Sequence, residues 1–160
     1  MAADVTLAID IRVNQLLYVS GNQEQIYRLI SNLIINAIQY TPASGKVTVI
    51  LDRGNQHALI QVQDTGIGIA PNEQNRIFNR FYRVQQDRSR RTGGTGLGLA
   101  IARVIAQAHQ GSLQVASELD KGSTFTIRLP LGTAPSLSNS ENCWQGYNER
   151  STFGPRHPLR

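Results

Sequence analysis

The sequence predicts an α+β domain, and three observations predict it. Two stretches, at about 23–40 and 97–109, carry apolar residues at helical spacing. Several short segments are β-branched-rich or alternate apolar and polar side chains, as strands do. Clusters of Gly, Pro, Asn and Ser separate these stretches. The 160 residues, 40% hydrophobic and 17% charged, suffice for one domain with a real core.

Residues 5–11, Val-Thr-Leu-Ala-Ile-Asp-Ile, form the first expected strand, and 15–19, Gln-Leu-Leu-Tyr-Val, a second short one. Ser20-Gly21-Asn22 is a turn in which Ser20 or Asn22 can cap the helix that follows. That helix has an apolar stripe of Ile26, Leu29, Ile30, Leu33, Ile34 and Ala37. Gln25, Arg28, Asn32, Asn36 and Gln39 make a second, polar stripe. Asn is a mediocre residue inside a helix, because its amide competes for backbone partners. Asn32 and Asn36, four apart beside a core stripe, point to ligand binding; an ordinary solvated face is the alternative. Pro42 and Gly45 end the helix. Residues 46–52 and 57–63 are strands joined by the turn Arg53-Gly54-Asn55-Gln56, a hairpin.

Asp64-Thr65-Gly66-Ile67-Gly68 then breaks the strand, and a short helical segment is expected over 73–78. Residues 84–96 are polar, basic and glycine-rich, a loop long enough to be functional. The second helix shows Leu97, Ile101, Val104, Ile105 and Ala108 on one face. Strands at 112–117 and 123–129 follow, around Asp120-Lys121-Gly122, and Pro130 closes the last. The domain is expected to span 1–131. The tail, 132–160, is rich in Ser, Asn, Gly and Pro without a period, and is expected to be disordered or loosely docked.

Composition excludes several classes. One cysteine, Cys143, allows neither an internal disulfide nor a multi-cysteine metal site. No apolar run approaches the roughly 18–20 residues of a membrane span, and no signal-peptide pattern opens the chain. The net charge is only +5. Its basic cluster, Arg83, Arg88, Arg90 and Arg91, suits a few phosphates better than a nucleic-acid duplex. No nucleic-acid partner is expected.

Three constellations could carry chemistry. The Asn32/Asn36 face is the first. Asp64, followed by glycines at a strand end, is the second: a carboxylate there can accept a hydrogen bond from a ligand close to the backbone. The third is Gly93-Gly94-Thr95-Gly96-Leu97-Gly98-Leu99 leading into a helix. Glycines let the backbone wrap a phosphate, and a helix N-terminus supplies free amides. It is neither a dinucleotide fingerprint nor a Walker A loop, for no strand leads into it and no Gly-Lys-Ser/Thr occurs. The order of the three is more specific than any one.

In that order the chain resembles the ATP-binding catalytic domain of sensor histidine kinases, in the superfamily shared with gyrase and MutL ATPases. Asn32-Leu33-Ile34-Ile35-Asn36-Ala37 resembles the N box, and Asp64-Thr65-Gly66-Ile67-Gly68 the G1 box. Arg76-Ile77-Phe78-Asn79-Arg80-Phe81-Tyr82-Arg83 resembles the F box, and Gly94-Thr95-Gly96-Leu97-Gly98-Leu99 the G2 box. Lys121-Gly122-Ser123-Thr124-Phe125 is similar to the family's closing strand.

The resemblance implies a two-layer α/β sandwich of the Bergerat type: a mixed five-stranded sheet, three main helices and an ATP lid. It implies ATP and Mg²⁺ as cofactors. Asp64 would accept from the adenine amino group, and Gly66 and Gly68 would let the base approach. Asn36 would give an amide oxygen to Mg²⁺. Asn32 would sit beside the triphosphate and Tyr40 would flank the nucleotide. Arg83 would reach the γ-phosphate, its planar fork matching phosphate. Gly94, Thr95, Gly96, Leu97 and Gly98 would hinge the lid and cradle phosphates, Phe78 and Phe81 would anchor it, and Thr124 would complete the pocket. Gln39 stands where many members carry a basic residue. The implied partners are a helical-hairpin dimerisation and phosphoacceptor domain and, downstream, a response regulator. The implied location is cytoplasmic, whether or not the parent kinase is membrane-anchored. His57, His109 and His157 lack an acceptor's setting, so the chain is expected to be the ATP-binding half of such an enzyme. A regulatory module on the same fold, or a serine-directed switch kinase of the superfamily, would keep the N and G1 boxes.

Overall fold

A computed structural model describes residues 4–84 and 95–134. The elements are β1 (Thr6–Ile11), α1 (Gln23–Tyr40), β2 (Lys46–Arg53), β3 (His57–Asp64), α2 (Gly98–Ala108), β4 (Ser112–Glu118) and β5 (Gly122–Pro130). A single 3₁₀ turn, Arg76–Phe78, lies between β3 and α2. The strands form one mixed sheet in the order β1-β2-β3-β5-β4. β1 runs parallel to β2, and every other neighbouring pair is antiparallel.

Strand alternation sends one set of side chains towards the helices. Val47, Val62, Leu113, Phe125, Ile127 and Leu129 are buried on that face. α1 meets them with Leu29, Leu33 and Ala37, each fully buried, while Ile26, Ile30 and Ile34 pack at the margin. The apolar stripe read from the sequence is therefore the core stripe. Asn22 caps this helix, its Oδ1 accepting the Gln25 N–H at 3.0 Å.

Three expectations change, and the sheet is covered unevenly. Residues 15–19 form no strand; Val19 alone makes a bridge to Leu131. The segment at 73–78 is turns ending in the 3₁₀ turn, so the described residues contain two α-helices rather than three. The helix layer stops short of β1, and Leu7, Ile9 and Ile11 stay 52%, 74% and 64% exposed. The buried face of α2 is Ala100, Ala102, Ile105 and Ala106, whereas Val104 is 55% exposed. Small alanines let α2 pack closely, and a reading weighted to large side chains passes over them. Of the tail, only 132–134 are described; its expected character lies outside the described residues.

Candidate functional site

A cavity of about 300 Å³ opens between α1, the ends of β3 and β5, residues 82–84 and the start of α2. Asp64, the last residue of β3, lies in it and is only 5% exposed. Its Oδ1 accepts the Gly66 N–H at 2.8 Å and the Ser123 N–H at 3.2 Å. Both amides go to one oxygen, so the other is left to the cavity. Burial raises the Asp64 carboxyl above its ordinary value of 3.8, with the two amides acting against that.

The glycines after Asp64 serve close packing of the chain on itself. A Cβ on Gly66 would lie 2.5 Å from the Tyr40 carbonyl oxygen. Gly68 has φ +69°, and a Cβ there would lie 2.0 Å from the Glu118 carbonyl oxygen. The Ile67 N–H donates to the Tyr40 carbonyl at 3.2 Å, and the Asp120 N–H to the Ile67 carbonyl at 2.9 Å. The segment is thus held between the end of α1 and the β4–β5 turn. Behind it, Ser117 Oγ accepts the Ile69 N–H at 2.8 Å and lies 2.9 Å from Ser123 Oγ. Gln74 Nε2 donates to the carbonyls of Ile69 and Ser117. Gly68 lines the cavity and Gly66 sits behind its wall.

The polar stripe of α1 forms the facing wall. Asn32, Asn36, Gln39 and Tyr40 all line the cavity, and all are half-buried. Asn32 Nδ2 donates to the Gly98 carbonyl at 3.2 Å and so ties α1 to the start of α2. Arg83 also lines the cavity and is half-buried. It follows Tyr82, whose ring lies 4.6 Å from the Arg76 guanidinium. Phe78 packs edge-on against Phe125 at 6.5 Å. Phe81 does not pack: it is 73% exposed at φ +63°, its N–H donating to the Gly96 carbonyl at 3.0 Å.

Thr95, Gly96 and Gly98 reach the cavity, while Leu97 is not part of its lining. Gly94 lies outside the described residues, as do Arg88, Arg90 and Arg91. Thr124 falls on the opposite face of the sheet. Asp64 pairs with Ser123, and it is Ser123, 7% exposed, that lines the cavity. Register would have found it, because the residue opposite Asp64 shares its face. Among the described residues no cluster of three or more His, Cys, Asp or Glu could hold a metal. Asn36 offers one neutral amide oxygen, a donor that fits a cation carried mainly by phosphate oxygens and water.

Residues 21–133 match the sequence model of the histidine kinase-, DNA gyrase B-, and HSP90-like ATPases. This chain belongs to that family. Within the family its likeness is to sensor histidine kinases. It is 58% identical over 135 residues to the sensor histidine kinase RppB of Synechocystis sp., covering 84% of this chain and 30% of that protein. The mycobacterial sensor histidine kinase MprB superposes with a TM-score of 0.70 at 28% identity, over 83% of this chain and 86% of that one. Full-length ShkA in complex with AMPPNP superposes with a TM-score of 0.70 at 30% identity, over 82% of this chain and 27% of that one. The chain spans 19% to 32% of the length of the curated relatives it matches. Among the described residues no helix is long and apolar enough to cross a membrane.

Proposed function

We propose that the cavity binds ATP with Mg²⁺, and that the chain is the catalytic domain of a two-component sensor histidine kinase. The γ-phosphoryl group would pass to a histidine on a separate helical-hairpin domain, the bond from phosphorus to the ADP oxygen breaking as one to the imidazole nitrogen forms. The receiving domain would in turn serve a response regulator.

The observation that carries this reading is the Asp64 carboxylate, buried at the cavity and held by two backbone amides through one oxygen. The remaining oxygen accepts from the adenine amino group and rejects guanine, whose carbonyl would face a carboxylate. Ser123, Tyr40 and Gly68 surround the base. Asn32, Asn36 and Gln39 run along α1 towards the phosphates. Asn36 would hold Mg²⁺, which neutralises phosphate charge when bound. Arg83 stabilises charge on the γ-phosphate during transfer, and Thr95, Gly96 and Gly98 approach the triphosphate with backbone. Catalysis is then positioning and charge stabilisation. That the similar protein ShkA forms a complex with AMPPNP supports an adenine nucleotide as the ligand.

The test is transfer of label from γ-labelled ATP, with Mg²⁺, to a separately supplied hairpin domain bearing the acceptor histidine. Acid-labile, base-stable label on that domain is the expected result. Arg83→Ala should lower the transfer rate far more than ATP affinity. ATP binding without transfer would favour a regulatory module, and no ATP binding would overturn the site itself.

A further inference from the structure

His109 follows α2, at the opposite end from the cavity, and its ring is hydrogen-bonded on both sides. Nε2 accepts the backbone N–H of Asn22 at 3.1 Å. Nδ1 lies 2.8 Å from the Ile105 carbonyl oxygen. A backbone N–H can only donate and a carbonyl can only accept, so the two contacts fix the ring. The two contacts together suit the tautomer that carries its proton on Nδ1. Asn22 is also the cap of α1, and Gly21 lies so close that a Cβ there would come 2.2 Å from the ring's Cδ2.

This contact has a counterpart. Asn32, midway along α1, donates to Gly98 at the start of α2. The two helices therefore run antiparallel, tied at two levels. From Asn22 to Asn32 and from Gly98 to His109 each helix rises roughly 15–17 Å, so the two ties meet in register. The wall carrying Asn32, Asn36 and Gln39 is held against α2 at both levels.

We infer that His109 is a positioning residue for the nucleotide site: the neutral imidazole braces the N-terminus of α1 against α2, and protonation of the ring releases it. This rests on the ATP-binding reading above. A proton on Nε2 would set N–H against N–H at Asn22, and the bond is lost. Charges nearby do not decide the matter. Among the described residues no carboxylate lies within 4.0 Å of the ring. Glu24 is the one acid in the first turn of α1, and the last turn of α2 has no basic residue. Arg103 of α2 lies over the Phe78 ring, and Arg128 of β5 is exposed on the other face of the sheet. The hydrogen bond to Asn22 is the term that changes sign.

Two measurements test this. ¹⁵N NMR of the imidazole in the nucleotide-free protein should show the Nδ1–H tautomer at pH 8; an Nε2–H tautomer overturns the inference whatever ATP does. ATP–Mg²⁺ affinity is then measured by calorimetry from about pH 8 to about pH 5, the range in which imidazoles take up protons. Wild type should weaken by about threefold to tenfold as the ring protonates, the worth of one hydrogen bond, beyond any loss shared with His109→Gln. In His109→Gln the amide oxygen can accept from Asn22 in place of Nε2 and cannot be protonated there. That variant should bind like wild type at pH 8 and keep its affinity where wild type loses it. His109→Ala, where it folds, should be weaker at every pH. Equal pH profiles for wild type and His109→Gln overturn the brace while leaving the site reading intact. Failure of wild type to bind ATP at any pH overturns the site reading, and the effect on affinity with it.

Discussion

The two glycine-rich stretches of this chain look alike in sequence and differ in structure. Around Gly66 and Gly68 the backbone is packed on two sides, against the end of α1 and the β4–β5 turn. At Gly98 an added Cβ would meet nothing nearer than Asn32 Cγ at 3.9 Å. The first stretch is glycine because the protein's own backbone needs the room. The second has room to spare at its helical end, and glycine there answers to something other than packing. The Asp64 end of the cavity, which the ATP-binding proposal gives to the base, is thus built by the fold itself. The end proposed for the phosphates is made from α1 side chains and the start of α2.

Gly68→Ala is the harshest test of that difference. The new Cβ would meet the Glu118 carbonyl at 2.0 Å in a left-handed conformation, φ +69°. Left-handed backbone costs a non-glycine residue about 1–2 kcal/mol, and overpacking about 1–3 kcal/mol more. Chemical denaturation should show a loss of about 3 kcal/mol or more. A loss under about 1 kcal/mol would show that the turn at 118–120 yields easily, and the contrast between the stretches would collapse.

Asp64→Asn probes the same end through chemistry. Asn presents an oxygen to the Gly66 and Ser123 amides, so the fold is kept, but on the proposed ATP-binding reading its NH₂ would face the adenine amino group. ATP affinity should fall by about tenfold to a hundredfold, the worth of a hydrogen bond to a charged group. Stability should move the other way. The folded carboxyl titrates above 3.8, so between its unfolded and folded values the folded state holds more protons. In that window wild-type stability falls as pH rises. Above it the buried charge is a standing cost that the variant lacks. Asp64→Asn should therefore be at least as stable as wild type at pH 7, the gap closing on acidification below the ordinary carboxylate range. A variant less stable at pH 7 would mean that the charge itself holds the turn.

How far the sequence revealed this site follows from the same contrast. The α1 stripes were legible because helical spacing separates Leu29, Leu33 and Ala37 from Asn32 and Asn36 without reference to any neighbour. Asp64 was legible as a carboxylate closing a strand. The supporting contacts were not. Ser123 rather than Thr124 faces the cavity because of the pairing of β3 with β5, and a one-residue difference in register changes the face. The buried alanines of α2 and the exposure of Phe81 depend on what lies opposite each of them. So does the absence of a strand at 15–19, where a short apolar run carries no period that separates strand from loop.

At the other end, Asn32→Ala should cost about 0.5–1 kcal/mol in thermal unfolding of the nucleotide-free protein. The half-buried bond to the Gly98 carbonyl is lost, and about 0.5 kcal/mol of better helix propensity offsets part of it. A cost near that of Gly68→Ala would mean that this end is as tightly built as the first.

Gly98→Ala should have the smallest effect on the fold and sharpens the contrast most. Gly98 opens α2 without a left-handed φ, and its Cβ position is in ordinary contact distance of a single side-chain atom. Alanine favours a helix over glycine by up to about 1 kcal/mol in the interior and by less at the first turn. Stability should change by less than about 0.5 kcal/mol, in the stabilising direction. If glycine is there so that phosphate can approach backbone, ATP–Mg²⁺ affinity should nonetheless drop, because the methyl occupies the open space beside Asn32. Unchanged stability with weakened binding would place the requirement for glycine in the ligand. Unchanged binding would leave Gly98 without a reason to be glycine, while Gly96, at φ +70° with a Cβ position 3.0 Å from the Phe81 backbone, would keep its own.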